Sequence, residues 1–217
     1  MSEKPKFTIE VVKEEDADEF YENIKEYFLK DEPTCKYLGI THLDEVKKYF
    51  EKSLPQKCSF KAVDENGKII GVVANEVQKR PSENDPIKTA TEMAIDERWK
   101  KICMLFDRIS ENYNIFKEYP EAKFYLAGKA VAVNPKYRGL GIAGELIKKT
   151  IEFMKENNIE PMLRICSSAY SARVMEKLNM TEVYKINYKD FIVNGEQLLK
   201  PESPHVCCRV FVLEVKN

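Results

Sequence analysis

The sequence predicts an α+β fold in which one central sheet is covered by helices. Apolar runs typical of strands alternate, along most of the chain, with stretches whose apolar residues recur at helical spacing. The 217 residues are 43% hydrophobic and 33% charged, the composition of a globular chain long enough to bury a sizeable core. No internal repeat, low-complexity tract or linker interrupts the pattern, so we expect a single domain over residues 1–217.

The first half of the chain predicts three strands and three helices. In order, these are a strand at 7–12, a helix from about Asp16 to 30, a helix at 43–54, strands at 58–63 and 69–77, and a helix at 91–113. The first helix ends at Lys30-Asp31-Glu32-Pro33, because the residue before a proline avoids helical backbone angles. A polar excursion at 78–85 separates the last strand from the long helix.

The second half predicts four strands and two helices. In order, these are a strand at 124–133, a helix at 145–157, a strand at 161–166, a helix at 170–178, a strand at 182–188, a loop-rich return at 189–204 and a strand at 206–215. Asn134-Pro135 ends the first of these strands, because proline lacks the amide that a strand ladder needs.

Charge and composition exclude several classes of protein. Lys and Arg number 35 and Asp and Glu 36, a net charge of −1, so the chain has no overall basic surface for nucleic acid. No apolar stretch approaches the length of a membrane span, and the N-terminus lacks the apolar core of a signal peptide. We therefore expect a cytoplasmic protein, with no membrane and no nucleic-acid partner, that acts as a monomer.

The six cysteines do not form a metal-binding pattern. None makes a Cys-x-x-Cys pair, and only His42 and His205 could join them as ligands. In a reducing compartment we expect buried thiols and no metal. The cysteines are Cys35, Cys58, Cys103, Cys166, Cys207 and Cys208.

The segment Arg138-Gly139-Leu140-Gly141-Ile142-Ala143-Gly144 is the most informative motif. It lies between a predicted strand and a predicted helix, and its three glycines permit tight turns and close approach to a ligand. A helix N-terminus offers unpaired amides and the positive end of the helix dipole, which suit a phosphate. The motif therefore predicts a cofactor related to a nucleotide, with a purely structural turn as the alternative.

The identity of that cofactor depends on the spacing around the glycines. Gly139, Gly141 and Gly144 satisfy G-x-G-x-x-G, the fingerprint of dinucleotide-binding proteins. Two features argue against a dinucleotide: residues 134–138 intervene between strand and loop, and residues 164–168 contain no carboxylate for the ribose. A P-loop is excluded because no Gly-Lys-Ser/Thr follows.

Residues 131–143 resemble the acetyl-CoA motif of the GNAT acetyltransferase superfamily, Arg/Gln-x-x-Gly-x-Gly/Ala, through Arg138, Gly141 and Ala143. The resemblance implies acetyl-CoA as cosubstrate and a GNAT fold with a mixed sheet of about seven strands and helices on both faces. It also implies that the strand before the loop splays from its neighbour. The implied cofactor contacts are Ala132, Val133, Arg138, Gly139, Leu140, Gly141, Ile142, Ala143 and Gly144.

A longer resemblance covers nearly the whole chain. Separate segments in the same order are similar to the insect arylalkylamine N-acetyltransferases, the group that includes dopamine N-acetyltransferase. The segments are 30–33, 114–116, 137–144, 166–178 and 204–206. The resemblance implies transfer of an acetyl group to the primary amine of a small molecule such as dopamine, serotonin or tyramine.

Acetyl transfer to an amine needs a base, because the amine arrives protonated and only its neutral form attacks a thioester. Glu32 lies where the first predicted helix ends, and its carboxylate would attract a cationic amine. From the residues alone, a solvated acid beside a helix end is the favoured interpretation of Glu32. The resemblance implies that Glu32 is the catalytic base, with Asp31 adding negative potential.

Ser167, Ser171 and His205 are the other candidate catalytic residues. Helix capping by Ser167 or Ser168 is the structural alternative, and Ser167 and Ser171 could share a helix face if that helix begins early. The resemblance implies that both serines move protons, including one to the departing thiolate, and that His205 organises the site. Met175 occupies the position at which many GNAT proteins have an acidic tyrosine.

Several further residues are candidates for contacts with the cofactor or the amine. Arg138 and Lys136 could pair with phosphates. Cys166 lies near the expected thioester, but no histidine adjoins it, so we expect direct transfer without an acetyl-cysteine. The aromatic candidates for the amine pocket, which could equally be core, are Phe28, Tyr37, Trp99, Phe106 and Phe116.

Other functions remain open at this point. A polyamine or longer-chain fatty-acyl N-acyltransferase would share the fold. An NAD(P)-binding oxidoreductase would use the overlapping glycine fingerprint. A non-catalytic acetyl-CoA-binding module would keep the loop without turnover.

Overall fold

The computed structural model describes residues 6–82 and 88–215, and its centre is a seven-stranded mixed sheet in the order β1-β2-β3-β4-β5-β9-β6. Neighbouring strands are antiparallel except for β4 and β5, which are parallel. A small hairpin, β7 with β8, stands apart from the sheet. The strands are β1 (Phe7–Val11), β2 (Phe60–Asp64), β3 (Ile69–Lys79), β4 (Phe124–Val133), β5 (Met162–Cys166), β6 (Thr181–Asn187), β7 (Ile192–Val193), β8 (Glu196–Gln197) and β9 (Cys207–Leu213).

Helices cover both faces of this sheet, which confirms the predicted fold class. The helices are α1 (Ala17–Ile24), α2 (Pro33–Leu38), α3 (Asp44–Glu51), α4 (Ala90–Met93), α5 (Glu97–Asn112), α6 (Ile115–Glu118), α7 (Ile142–Glu156) and α8 (Ala169–Lys177). A π-helical turn, Lys25–Leu29, extends α1 towards Glu32. Such turns are rare in proteins and occur frequently at functional sites.

Alternate side chains of β4 point to opposite faces of the sheet and pack against the helices on each face. Ala130 and Ala132 are buried in one core cluster with side chains of α1 and α5. Val131 and Val133, on the opposite face, pack against a second cluster that contains Leu146 of α7. Successive strand residues point to opposite faces, so a single strand contributes to both cores.

The predicted helix boundaries required three corrections. The first helical stretch ends before Pro33 as predicted, but Pro33 starts α2, a short helix that the sequence did not predict, so the chain turns from one helix into another at Glu32. The predicted helix at 91–113 is broken between α4 and α5, where Asp96 caps α5 and Glu45 accepts hydrogen bonds from the amides of Ile95 and Asp96. The third correction is that α7 begins at Ile142, three residues before the predicted start, because Gly141 adopts the left-handed conformation and caps it.

Other predicted segments differ in smaller ways. The polar excursion at 78–85 begins within β3, and its residues 83–85 lie outside the described residues. The loop-rich return at 189–204 includes the β7–β8 hairpin. The six cysteines are free thiols, and all are buried except the half-buried Cys207, which largely confirms the expectation.

Neither a metal cluster nor a membrane-spanning helix is found in the described parts of the chain. Within residues 6–82 and 88–215, no three His, Cys, Asp or Glu side chains are grouped as metal ligands would be. No helix in these ranges has the length and apolar character needed to cross a bilayer.

The parallel strands β4 and β5 separate soon after they pair. Leu126, Ala127 and Gly128 pair with Met162, Leu163 and Arg164, and the ladder ends there although both strands continue. At the point of divergence the Arg164 side chain lies against the Gly128 backbone. A Cβ added to Gly128 would lie 2.5 Å from Arg164 Cζ, so only glycine fits at this position.

We expect Gly128→Ala to destabilise the fold by about 1–3 kcal/mol, because the added methyl group overpacks the buried Arg164 side chain. Urea unfolding measures this change. The matched control is Gly144→Ala, whose added methyl group meets nothing within 4 Å among the described residues. We expect that control to be neutral or to stabilise the protein by up to about 1 kcal/mol through helix propensity. Equal effects of the two substitutions would contradict the crowding at Gly128.

Candidate active site

A cavity of about 670 Å³ fills the gap between the diverging strands β4 and β5. Val131, Val133 and Ile147 form part of one wall, and Val174 and Met175 of α8 belong to the opposite side. These walls are apolar, and the glycine loop and the first turn of α7 lie at one end of the cavity. Its volume is within the range of cofactor sites in proteins.

Local hydrogen bonds fix the conformation of the glycine loop. The Asn134 side chain accepts a hydrogen bond from the Lys136 amide at 3.0 Å, which shapes the turn after β4. The Tyr137 hydroxyl donates to Asp64 Oδ2 at 3.1 Å and ties the loop to the β2–β3 turn. Gly139 and Gly141 have φ values of +83° and +82°, a conformation that favours glycine.

The loop delivers free amides to the start of α7. The amides of the first helical turn, Ile142 to Gly144, have no acceptor within the helix, and Gly141 provides no capping side chain. Together with the positive end of the helix dipole they form a site suited to a diphosphate. A Cβ on Gly144 would meet no described atom within 4 Å, so the backbone is open on that side.

The predicted cofactor contacts occupy different positions around the cavity. Val133, Arg138 and Ala143 line it. Gly139, Leu140, Gly141, Ile142 and Gly144 contribute the loop and helix backbone, and the Ile142 side chain is buried in the core. Ala132 points to the opposite face of the sheet, so its side chain packs in the core and does not line the cavity.

Arg138 spans the mouth of the cavity in this structure. Its Nη2 lies 3.3 Å from Asp31 Oδ2, and both side chains are exposed. An exposed ion pair of this kind stabilises the folded protein by about 0–1 kcal/mol. The Arg138 guanidinium can therefore leave Asp31 and pair with a phosphate at little cost in free energy.

Arg164 forms the deep end of the cavity. It is 5% exposed, and its Nη2 donates to Asn75 Oδ1 at 3.3 Å, while Nε has no hydrogen-bond partner among the described residues. Burial lowers the pKa of Arg164 to about 10, which leaves the guanidinium charged at neutral pH. A fixed positive charge therefore lies beneath the point where the strands diverge.

One oxygen of the Glu32 carboxylate accepts hydrogen bonds, and the other has no hydrogen-bond partner among the described residues. Glu32 caps α2: its Oε2 accepts hydrogen bonds from the Cys35 amide at 2.5 Å and the Thr34 hydroxyl at 2.7 Å. The other oxygen, Oε1, is buried and has no partner within the described chain. Glu32 is 8% exposed and lines two adjoining cavities, and its buried Oε1 is an acceptor without a donor among the described residues.

The second cavity is small, about 60 Å³, and aromatic and aliphatic side chains form most of its lining. Of the predicted aromatic residues, Phe28, Trp99 and Phe106 line it. Two further aromatic residues, Tyr49 and Phe50, also line it, and the sequence interpretation did not identify them although both lie in the predicted helix at 43–54. Two other aromatic candidates lie elsewhere: Tyr37 is 42% exposed, and Phe116 packs edge-on against Tyr125.

The serines after β5 have separate roles in the structure. Ser168 caps α8 by accepting hydrogen bonds from the Tyr170 and Ser171 amides, as the capping alternative predicted. Ser167 precedes the helix, so Ser167 and Ser171 do not share a helix face, but both line the main cavity. Ser167 also lines the aromatic cavity, and its carbonyl accepts a hydrogen bond of 2.6 Å from the Tyr188 hydroxyl.

Cys166 lies between these groups as a neutral thiol. Burial raises the pKa of Cys166, although a hydrogen bond with the Ser171 hydroxyl partly opposes the shift. A thiol with a raised pKa is a poor nucleophile at neutral pH.

His205 contacts the first residues of α8 and does not line the cavity. Its Nδ1 accepts a hydrogen bond from the Ala169 amide at 3.2 Å, and its ring meets Tyr170 edge-on with centroids 5.2 Å apart. Burial lowers the pKa of His205, so the ring is neutral and Nδ1 remains an acceptor at pH 7. His205 lines neither cavity, and its contacts position the helix that carries Ser171.

A family model described as Acetyltransferase (GNAT) family matches residues 13–180 of this chain. Solved structures with a similar fold include the arylalkylamine N-acetyltransferase 2 of Aedes aegypti, 24% identical over 97% of this chain and 99% of that chain, with a TM-score of 0.89. They also include the Drosophila melanogaster polyamine N-acetyltransferase, which forms N-acetylagmatine and is 19% identical over 96% and 100% of the chains, with a TM-score of 0.86. A NatC complex bound to a Gag peptide and CoA is 15% identical over 97% and 99%, with a TM-score of 0.57.

The position of His205 generates a prediction about stability and pH. The folded pKa lies below the ordinary value of 6.5, so the unfolded chain binds this proton more readily. The stabilisation from neutral His205 is complete above about pH 6.5 and is lost as the pH falls through the folded pKa. We expect the wild type to lose more stability than His205→Gln, which does not titrate, when urea unfolding is compared at pH 7.5 and pH 5. Identical losses would contradict the role of Nδ1 as acceptor.

Proposed function

The chain belongs to the acetyltransferase (GNAT) family, whose members use acetyl-CoA, and we propose that it acetylates the primary amine of an arylalkylamine such as dopamine, serotonin or tyramine. The observation that carries this proposal is Glu32, which lines both cavities and whose buried Oε1 has no hydrogen-bond partner among the described residues. On one side of it lies the cleft between β4 and β5, and on the other a cavity lined by aromatic rings.

The main cavity fits acetyl-CoA in its chemistry. We assign the diphosphate to the first-turn amides of α7, with Arg138 and Lys136 close to the same loop. The pantetheine arm then has the apolar surface of Val131 and Val133 beside it, where the strands have separated. When bound, acetyl-CoA supplies an activated acyl group on a thiol leaving group.

In this proposal Glu32 is the general base that removes a proton from the cationic amine. With a pKa of about 10.4, an amine costs roughly 4–5 kcal/mol to neutralise at pH 7. Glu32 Oε1 accepts that proton, directly or through water, and the nitrogen lone pair then forms the C–N bond at the thioester carbonyl as the C–S bond breaks. Ser167 or Ser171, which both line the main cavity, gives a proton to the leaving sulfur and regains one from the new amide nitrogen as its second N–H bond breaks.

The nearest alternative is a polyamine N-acetyltransferase of the same fold, which the likeness to the Drosophila enzyme supports. The aromatic lining of the second cavity favours an arylalkylamine, because aromatic side chains pack well against an aromatic ring. A longer-chain fatty-acyl donor is a further variant of this alternative.

All seven strands of the main sheet form one unit in the described chain, which supports a single domain over residues 1–217.

We expect Glu32→Gln to lower kcat by about 10²–10⁴ at pH 7, because the amide keeps a capping oxygen but cannot accept the proton. The loss shrinks above pH 8, where more of the amine is already neutral. Release of free thiol from acetyl-CoA with tyramine, followed from pH 6 to pH 9.5, measures both effects.

The matched control is Glu26→Gln, which changes an exposed carboxylate that lines neither cavity. We expect the control to keep the activity and pH profile of the wild type. A Glu32→Gln variant with an unchanged pH–rate profile would remove Glu32 as the base. A wild type that binds acetyl-CoA but acetylates none of dopamine, serotonin, tyramine, histamine or spermidine would favour a non-catalytic binding module.

A further inference from the structure

Lys129 is a buried cation on the wall shared by both cavities. The pairing of β3 with β4 matches Ala74 to Ala130 and Asn75 to Gly128, so Lys129 is an extra residue at a bulge in β4. A bulge leaves one residue out of the strand ladder and redirects its side chain. The Lys129 side chain is only 2% exposed and lines both the cleft and the aromatic cavity.

The contacts of Lys129 fix its ammonium beside the aromatic cavity. Nζ lies 2.6 Å from Glu76 Oε2, donates to the Tyr49 carbonyl at 2.5 Å and lies 4.1 Å from the centre of the Tyr49 ring. Glu76 also pairs with Lys52 at 3.0 Å. Two ammonium groups therefore share one carboxylate, and this group of three side chains carries a net positive charge.

The charges on the cavity wall are few. Among the described residues that line the aromatic cavity, Glu32 and Lys129 are the ionised side chains, since burial raises the pKa of the Cys35, Tyr49 and Cys208 side chains and keeps them neutral. Glu76 does not line the cavity. Burial lowers the pKa of Lys129 to about 8, so its ammonium is mostly protonated at pH 7. The cavity thus offers one carboxylate to a substrate and opposes a second cation.

We propose that Lys129 is a specificity-determining residue that selects amines with a single cationic group over amines with a second ammonium or guanidinium. The inference rests on the proposed function, which places the reacting amine at Glu32. A second cation on the substrate would enter a largely apolar space beside the Lys129 ammonium with no further carboxylate to meet it. A repulsion over several ångströms at a partly buried site changes binding by about tenfold or more.

The test uses two substrates of matched shape. In 4-ethylphenethylamine and 4-(aminomethyl)phenethylamine, a terminal methyl group is exchanged for an ammonium. A slimmer pair, hexylamine and 1,5-diaminopentane, repeats the comparison for a narrow cavity. The quantity measured at pH 7 is the ratio of kcat/KM for the monocation to that for the dication.

Three variants separate charge from shape. Lys129→Met removes the ammonium while Glu76 keeps its pairing with Lys52, and we expect it to narrow the ratio by at least about tenfold. Lys129→Arg keeps the charge and should keep the ratio near that of the wild type. Glu76→Gln removes the carboxylate that keeps the buried Lys129 amine protonated, so at pH 7 it should narrow the ratio in the same direction as Lys129→Met. Thermal unfolding of each variant shows whether it is folded.

The outcomes distinguish this inference from the proposed function. A ratio in Lys129→Met equal to that of the wild type, or narrowed equally in Lys129→Arg, would overturn the role of Lys129 while leaving the proposed function intact. A wild type that acetylates no amine would overturn the proposed function. In that case calorimetry on protein saturated with CoA gives the dissociation constants of the same amines. The ratio of the constants for the monocation and the dication then tests the inference.

Discussion

The divergence of two parallel strands is the constraint on which the rest of the structure depends. β4 and β5 share a ladder over three residue pairs and then separate, although each continues. Strand edges that are separated expose amides and carbonyls that the sheet no longer pairs, and a ligand can satisfy them. Helix α7 follows β4 and helix α8 follows β5, and side chains of both helices line the gap.

The same divergence brings the proposed reacting groups together from distant parts of the sequence. The glycine loop follows β4, the serines follow β5, and Glu32 reaches the junction from the turn between two N-terminal helical segments. Hydrogen bonds fix three of these elements: Glu32 caps α2, the Ser171 hydroxyl donates to the Ser168 carbonyl, and His205 accepts from the Ala169 amide at the start of α8. In each case, part of the side chain or backbone is fixed by the fold, which favours a preorganised site.

Sequence patterns predicted the features that depend on local chemistry. The bounds of β4 were predicted correctly, because its apolar run ends at Asn134-Pro135, and the glycine loop was found because Gly139 and Gly141 need positive φ. The break before α5 was missed because Glu45, from a distant helix, accepts the hydrogen bonds that hold it. Lys129 and Arg164 were also missed, because a charged residue in a strand predicts a solvated face. Both side chains are buried with partners on β3, Glu76 for Lys129 and Asn75 for Arg164.

A crystal structure of the protein with bound CoA tests the central claim most directly. The account predicts diphosphate oxygens within hydrogen-bond distance of the amides at Ile142 to Gly144, and the pantetheine arm in the gap beside Val131 and Val133, with its sulfur near Ser171. CoA bound at another surface, or a cleft between β4 and β5 that stays empty at saturating CoA with no heat of association by calorimetry, would contradict it.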